Sequence, residues 1–266
     1  MNALVPVLAG LFGSLVGSFL NVVIWRLPRR ESIVFPASSC PGCGTPLAAL
    51  DLIPVVSWLA LRGRCRSCGQ AISARYPLVE ALTAGVFVAI TIAAPPLDQG
   101  WAQWIAAAGF GAALIALFFI DLDHKLLPDA ITLGGLPLLL VLAAVSGGEG
   151  LTVGFVPALL GAGVGAGLLA LIAGYGAWVM SWFGREDEDV MGFGDVKLSA
   201  LMGAALGWER LLVALFLGFL IGAVVGTVQR RLGGDREIPF GPFLAAGALT
   251  ALFAGETIIA WYLGLP

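Results

Sequence analysis

The chain has 266 residues, of which 59% are hydrophobic and only 12% are charged, whereas a soluble domain carries about 25% charged residues. A water-soluble fold of this length could not bury so much apolar surface, so the composition excludes one and predicts an integral membrane protein in contact with lipid. The formal net charge of −3 excludes little by itself, but the basic residues form no stripe, which argues against a nucleic-acid partner.

Eight apolar segments follow one another along the chain, and most are long enough to cross about 30 Å of hydrocarbon as helices. The fourth is short, the fifth is long, and the sixth either crosses or is re-entrant. The predicted fold class is an all-α polytopic membrane protein with about eight transmembrane helices and a small zinc-binding cytoplasmic loop domain. The predicted domains are a first transmembrane helix at 1–25, the loop domain at 26–76 and a membrane core of about seven helices at 77–266. The eight segments are 3–25, 77–94, 101–120, 130–145, 153–183, 194–208, 210–229 and 240–264.

The distribution of Lys and Arg predicts how these segments are oriented. If the N-terminus is outside and all eight segments cross, only Arg210 of the 14 basic residues falls outside, as the positive-inside rule favours. If the sixth segment did not cross, the basic residues near 230–236 would also move outside. We therefore expect both termini on the outer side and the loop 26–76 in the cytoplasm. The residues placed inside are Arg26, Arg29, Arg30, Arg62, Arg64, Arg66, Arg75, Lys125, Arg185, Lys197, Arg230, Arg231 and Arg236.

Two CxxC motifs, CPGC at 40–43 and CRSC at 65–68, contain all four cysteines of the chain. Zinc prefers four thiolates in a tetrahedron, and one CxxC turn supplies two of them. We expect a structural zinc ion, because four thiolates leave no open position for a catalytic water. Two disulfides or four free thiols are the alternatives, and a reducing cytoplasm argues against disulfides. The predicted ligands are Cys40, Cys43, Cys65 and Cys68.

Carboxylates stand at two junctions between predicted spans, "DLDHKLLPD" (121–129) and "GFGD" (192–195), which face the same side in the predicted topology. Two facing carboxylates can perform acid/base chemistry on water, because their mutual repulsion leaves one protonated and the other ionised. Asp121 and Asp123 cannot share a face, since two residues turn a helix by roughly 200°, so at most one of them points at Asp195. The alternative is that these residues are only a helix cap and boundary acids.

Residues around the second junction are candidates for contact with a substrate. Gly192 and Gly194 remove side-chain bulk, so that a substrate backbone could approach Asp195 closely. Lys197 could steady the charge of Asp195 or bind a substrate carbonyl. The acidic run "EDED" at 186–189 is either a binding site for a basic segment or a solvated loop.

Other catalytic chemistries lack their motifs in this sequence. No serine lies in a GxSxG motif, so the only histidine, His124, has no such nucleophile to activate. There is no HExxH, no P-loop and no GxGxxG after a strand. Acid/base chemistry by carboxylates is therefore the hypothesis that the residues favour among enzymes.

Long motifs along nearly the whole chain resemble those of the bacterial type IV prepilin peptidases, also called prepilin leader peptidase/N-methyltransferases. No key position departs from the family pattern. The motifs are "GSFLNVVIWRLPR" (17–29), the two CxxC pairs, "SWLALRGRCRSCG" (57–69), "RYPLVEALTA" (75–84), "DLDHKLLPDAITL" (121–133), "MGFGDVKLSALMGAALGW" (191–208) and "IPFGP" (238–242).

The resemblance implies an aspartic protease of the GxGD type, with Asp121 and Asp195 as the catalytic pair. Its implied substrates are prepilins of the type IV pilus and pseudopilins of type II secretion, which have a short basic leader, a Gly and then a hydrophobic helix. Cleavage after that Gly at the cytoplasmic face of the bacterial inner membrane is implied. Many members then methylate the new N-terminal amine with S-adenosylmethionine, and a cysteine loop like this one is typical of them.

Two alternatives to this function remain at the level of sequence. Glycine-rich helices, acids at the edge of the membrane and one broken segment are also features of transporters and channels. Transporter acids tend to lie near the midplane of the bilayer, however, whereas these acids are predicted at one face. The second alternative is a GxGD protease that acts on other membrane substrates.

Overall fold

The computed structural model describes residues 3–148, 150–183, 192–233 and 238–264, and within these ranges it contains helices and isolated bridges but no strand. The all-α prediction is therefore confirmed. Arg185, Arg236 and the acidic run 186–189 lie outside the described residues. The helices are α1 (Leu4–Arg26), α2 (Val56–Ala60), α3 (Arg75–Ala93), α4 (Pro96–Gln99), α5 (Trp101–His124), α6 (Asp129–Ser146), α7 (Phe155–Trp182), α8 (Phe193–Arg231) and α9 (Gly241–Leu263), with two 3₁₀ turns at Leu27–Arg29 and Ala49–Leu52.

Seven of the described helices are long and apolar enough to cross a membrane, which confirms the prediction of a polytopic membrane protein. They are α1, α3, α5, α6, α7, α8 and α9, and their ends lie close to those of the predicted segments. The count differs from eight because the predicted sixth and seventh segments form one 39-residue helix, α8. This helix is broken at Gly207, where φ is 74° and ψ is 171°, a backbone conformation open essentially to glycine.

The first compact unit, Met1–Pro95, is built on an antiparallel pair of helices, α1 and α3. The pair packs closely because α1 places glycines at the contact. A Cβ on Gly17 would lie only 2.7 Å from the Cα of Glu80, and one on Gly13 only 2.9 Å from Phe87. The chain between the two helices, residues 27–74, carries α2 and the four cysteines. The helix α3 falls within the predicted core 77–266 but packs here against α1.

The second unit, Pro96–Pro266, contains the remaining helices. One end of this unit contains the predicted aspartate pair, Asp121 in the last turn of α5 and Asp195 in the first turn of α8, and we call it the dyad end. It is marked by Leu127, whose side chain lies against Gly194 at the start of α8 and Gly241 at the start of α9. Leu127 lies between α5 and α6. The end of α5 and the starts of α6, α8 and α9 therefore meet at the dyad end.

The opposite end of the second unit, which we call the far end, is held together by buried polar residues. Gln103 exchanges three hydrogen bonds with Thr152: its Nε2 donates to the Thr152 carbonyl (3.0 Å), and its Oε1 accepts from the backbone N–H (3.2 Å) and the hydroxyl (2.6 Å). The guanidinium of Arg210 donates to the carbonyls of Leu206 (3.0 Å) and Leu151 (2.9 Å). These bonds fix the segment before α7 against α5 and α8.

The contacts at the two ends show that α8 reverses direction at Gly207. Its first half runs from Gly194 at the dyad end to Ala205 at the far end, where the Ala205 carbonyl accepts a hydrogen bond from the Val153 N–H (3.3 Å). Its second half returns, because a Cβ on Gly222 would lie 3.2 Å from the ring of Phe240 beside the start of α9. The two halves are thus antiparallel and correspond to the predicted sixth and seventh segments.

The first half of α8 packs backbone to backbone against α7, as the glycine spacing in 161–167 indicates. A Cβ on Gly161 would lie 2.2 Å from the carbonyl oxygen of Gly203, and a Cβ on Gly203 would lie 2.0 Å from that of Gly161. One helical turn away, a Cβ on Gly165 would lie 2.3 Å from the carbonyl oxygen of Ser199. The position of α8, and of Asp195 near its start, therefore depends on these glycines.

We expect Gly161→Ala to destabilise the protein by about 1–3 kcal/mol, because the added methyl group would force α7 away from α8. The measurement is thermal unfolding of the purified protein in detergent. Gly163→Ala is the matched control: it lies on the same helix, and nothing lies within 4 Å of its Cβ position. Equal unfolding temperatures for the two variants would contradict the close packing described here.

Candidate active site and metal centre

Asp121 lies in the last turn of α5 and is buried, whereas Asp123, two residues further, is exposed. This difference follows from the rotation of the helix, which turns by roughly 200° over two residues. The Oδ2 atom of Asp121 accepts a hydrogen bond from the backbone N–H of Gly241 (2.9 Å). Because Gly241 begins α9, its N–H belongs to the positive end of that helix and favours a negative charge on Asp121.

Asp195 lies in the first turn of α8 and is also buried. Its backbone N–H donates to the carbonyl of Gly192 (3.0 Å), the residue that caps the helix. The side chain of Asp195 makes no capping bond to that helix start. Within the described residues, no side-chain hydrogen bond at this helix start supports the helix-cap alternative.

The two aspartates come from helices that are distant in sequence and meet at the dyad end. The side chain of Leu127 contacts both of their neighbours: its Cδ1 lies 3.3 Å from the Cβ position of Gly194, and its Cδ2 lies 3.2 Å from that of Gly241. The carboxyl groups of Asp121 and Asp195 are close enough to interact electrostatically. Two acids buried next to each other cannot both be ionised without a large cost, so the pair is suited to hold one proton between them.

The structure places the three predicted substrate-binding residues around Asp195 but gives each a contact within the protein. A Cβ on Gly192 would lie 3.7 Å from Asp195 Oδ2, and a Cβ on Gly194 would lie 3.1 Å from the Cβ of Leu127. The ammonium group of Lys197 lies 2.5 Å from Asp129 Oδ1 and 4.9 Å from the centre of the Phe193 ring. Lys197 thus connects the start of α8 to the start of α6.

Gly241 is a residue of this site that the sequence analysis quoted in a motif without assigning it a role. A Cβ at this position would lie 2.6 Å from Asp121 Oδ2, so only glycine allows the backbone N–H to reach the carboxylate. The available signal was the "FGP" of 240–242, because Pro is favoured in the first turn of a helix. That signal predicts a helix start, but it does not indicate which side chain the helix start meets.

The four cysteines form a cluster in the first unit, with all four Sγ atoms within 4.8 Å of one another. The Sγ atoms of Cys40 and Cys68 are 3.8 Å apart. A tetrahedral zinc ion with Zn–S bonds of about 2.3 Å requires about 3.8 Å between sulfurs. The cluster therefore fits a tetrathiolate metal site, and its residues are those that the sequence predicts.

Each pair of cysteines is presented by a turn of the same construction. The N–H of Gly44 donates to the Cys40 carbonyl (2.8 Å), and the N–H of Gly69 donates to the Cys65 carbonyl (3.0 Å). Both glycines have positive φ, 68° and 72°, which explains why a Gly follows each CxxC motif. The turns thus bring two sulfurs each to the cluster without help from a large apolar core.

One of the thiols is prepared for metal binding by its neighbour. The side chain and then the backbone of Thr45 hydrogen-bond to Cys43 and lower its pKa to about 6, and the Sγ and Oγ1 atoms are 3.2 Å apart. The thiolate is the form that binds metals. These hydrogen bonds therefore favour the metal-binding form of the Cys43 sulfur.

Comparisons with known proteins cover both units of the chain. The family model described as bacterial peptidase A24 N-terminal domain matches residues 11–94, and that described as type IV leader peptidase family matches residues 108–227. Proteins named prepilin leader peptidase/N-methyltransferase are similar over almost the whole chain. The one from Aeromonas salmonicida strain A449 is 40% identical and that from Aeromonas hydrophila 42% identical, each covering 95% of this chain and 92% of the relative.

The relative of the same name from Pseudomonas aeruginosa is 36% identical, covering 95% of this chain and 91% of its own length. No solved structure matches the chain. The two family models divide between the two units: the N-terminal model includes the four cysteines, and the leader-peptidase model includes Asp121 and Asp195. The chain therefore belongs to the type IV leader peptidase family.

Proposed function

We propose that this protein removes the leader peptide from prepilins and pseudopilins and then N-methylates the new N-terminal residue. The observation that carries the cleavage reaction is the meeting of two buried carboxyl groups, Asp121 and Asp195, at the dyad end of an apolar helix bundle. The name that the relatives share supports both activities. A transporter is not favoured, because every relative named above is a peptidase and because the acids lie at one end of the bundle.

In the proposed cleavage reaction, Asp121 is the ionised member of the pair and Asp195 is the protonated one. Asp121 carries the charge because the N–H of Gly241, at the start of α9, donates to it. The Asp121 carboxylate takes a proton from a water molecule between the two groups, and the Asp195 carboxylic acid polarises the scissile carbonyl. No metal and no covalent intermediate is needed for these steps.

The proposed substrate is presented at the dyad end. A prepilin has a basic leader, a Gly and an apolar helix, so its scissile bond lies where the apolar helix leaves the membrane. Gly192 and Gly194 have no side chains of their own beside Asp195, although Leu127 packs against Gly194, and we assign both glycines to substrate binding. Lys197, which pairs with Asp129, is assigned to the same surface, where it holds the starts of α8 and α6 together.

We also propose the orientation of the chain. The protein is a multi-pass membrane protein, and its relatives are bacterial, which supports the inner membrane as its location and lipid as its surroundings. The charge distribution supports both termini outside, with the dyad end and the segment 26–76 facing the cytoplasm. We retain the division into a first helix (1–25), a loop domain (26–76) and a membrane core (77–266) as part of this proposal.

The metal proposed for the cysteine cluster is zinc, and its proposed role is structural. Four sulfurs complete a tetrahedron, so the site offers no position for substrate or water. The segment between α1 and α3 has few large buried side chains, so a bound ion would supply much of its stability. S-adenosylmethionine is proposed as the methyl-donor co-substrate of the second reaction.

Asp121→Asn and Asp195→Asn are each expected to lower the rate of leader removal by at least about 100-fold, because each removes an acid/base group from the pair. The assay is cleavage of a purified prepilin by the purified protein in detergent, with unfolding temperature measured in parallel. Asp123→Asn is the matched control, since this side chain is exposed on the other face of α5. A folded Asn variant of either buried aspartate with wild-type activity would refute the proposed dyad.

Metal analysis of the purified protein is expected to give about one zinc ion per chain, because the site holds four thiolates. Cys43→Ser should lose the metal and lower the unfolding temperature, and a strong chelator should do the same to the wild type. Ser67→Ala, which changes a residue between two ligands without removing a sulfur, is the control and should keep its zinc. Absence of bound metal in the wild-type protein would refute the proposed zinc site.

A further inference from the structure

Glu80 is a buried carboxyl group in the membrane helix α3 that the cleavage reaction does not use. It belongs to the first unit, whereas the two aspartates belong to the second. Ionisable residues in membrane helices are costly and are usually kept for function. Glu80 is in the second turn of α3, which begins at Arg75. It therefore lies near the start of that helix, where the helix follows the segment 27–74 that carries the four cysteines, which we call the cysteine segment.

A strained turn of the cysteine segment donates a backbone hydrogen bond to the Glu80 carboxylate. Val55 has φ 61° and ψ −49°, a conformation that is a genuine outlier for a β-branched residue. Its backbone N–H donates to Glu80 Oε2 at 2.7 Å, while the N–H of Val56 closes the turn on the Pro54 carbonyl. Strain of this kind persists only where the surroundings enforce it, and it is concentrated at functional sites.

The helix α1 completes the surroundings of Glu80. The side chain of Ser18 also hydrogen-bonds to the carboxylate, and Gly17 allows α1 to approach the backbone of Glu80 closely. A carboxylate has about four acceptor positions, and these two bonds occupy half of them. The group is therefore held in place by all three segments of the unit and still has capacity to bind a cation.

We propose that Glu80 receives the N-terminal ammonium group of the cleaved substrate and accepts its proton before methyl transfer. This inference rests on the proposed function, in which cleavage leaves a free amine at the start of an apolar helix. Such an amine would meet Glu80 out of bulk water, where opposite charges attract strongly. The leader-peptidase family model covers 108–227, whereas Glu80 lies in the region 11–94 that a separate N-terminal model covers. As part of this proposal we assign the second activity in the relatives' name to the first unit.

The chemical step needs a proton acceptor because an α-amino group, with a pKa of about 8, is mostly protonated at neutral pH. One proton passes from the ammonium to the Glu80 carboxylate and later to water. The freed electron pair of nitrogen then forms a bond to the methyl carbon of a sulfonium donor. The carbon–sulfur bond breaks, its electron pair stays on sulfur, and a neutral thioether leaves.

Glu80→Gln separates this role from a purely structural one. The glutamine oxygen can still accept the hydrogen bond from Val55, so the turn keeps its support, but the charge and the proton-accepting group are lost. We expect leader cleavage within about twofold of wild type and a loss of methyl incorporation of at least about 100-fold. Thr83→Val is the matched control: it removes a buried hydroxyl of α3 that donates to the Val79 carbonyl, and both activities should stay unchanged.

A binding measurement without methyl donor provides a second readout. The ligands are two versions of one apolar peptide, with a free N-terminal amine or with an acetylated one. Wild-type protein should bind the free amine at least about tenfold more tightly, since the buried carboxylate pairs with the cation, and Glu80→Gln should lose this preference.

A Glu80→Gln variant that methylates normally and still prefers the free amine would overturn the proposal and leave Glu80 as an anchor of the Val55 turn. Loss of cleavage together with methylation in this variant would also overturn it, because the effect would then be general. A wild-type protein that releases no leader counts instead against the proposed function. The two failures are therefore distinguishable in the same set of assays.

Discussion

The candidate active site of the second unit depends on the hydrogen bond from the Gly241 N–H to the Asp121 carboxylate. This bond joins the end of α5 to the start of α9 with a carboxylate and a helix N-terminus, two partners whose charges attract. In an apolar bundle a carboxylate without such a partner would be costly. Because Gly241 has no side chain, the backbone comes close enough to supply the bond directly. The position of Asp121 is therefore fixed by main chain rather than by a second flexible side chain.

Close packing of glycines brings the second acid to the same place. The contact of Gly161 with Gly203 sets the distance between α7 and α8, and the break at Gly207 lets α8 return toward the dyad end. The polar bonds of Gln103 and Arg210 fix the far end, so the helices have little freedom to slide. The start of α8 is thus placed by contacts spread over the whole unit, and these contacts bring Asp195 close enough to Asp121 for the two carboxyl groups to interact electrostatically.

Hydropathy was sufficient to locate the membrane helices, because the cost of burying polar groups in lipid outweighs local propensities. The rotation of a helix was sufficient to show that Asp121 and Asp123 face different ways, but only the family resemblance indicated which of them faces Asp195. The cysteine cluster could be predicted since its turns are local. The bond between Gly241 and Asp121 could not, because it joins residues 120 positions apart in sequence and involves a backbone group that every residue type except Pro possesses.

The strained turn at Val55 shows a different limit of sequence reasoning. Nothing in "IPVVSW" (53–58) indicates a positive φ, since valine disfavours it more than almost any residue. The conformation exists because the Glu80 carboxylate accepts the Val55 N–H, and that carboxylate is in turn held by α1. Under the proposed function, cleavage at the aspartate pair produces the ammonium group that Glu80 is suited to bind. The chain would then contain one buried pair of acids that produces an amine by cleavage and one buried acid that removes a proton from that amine before methylation. Cleavage would have to come before methylation because the amine does not exist until the leader is removed, and no separate regulatory element would be needed to set this order.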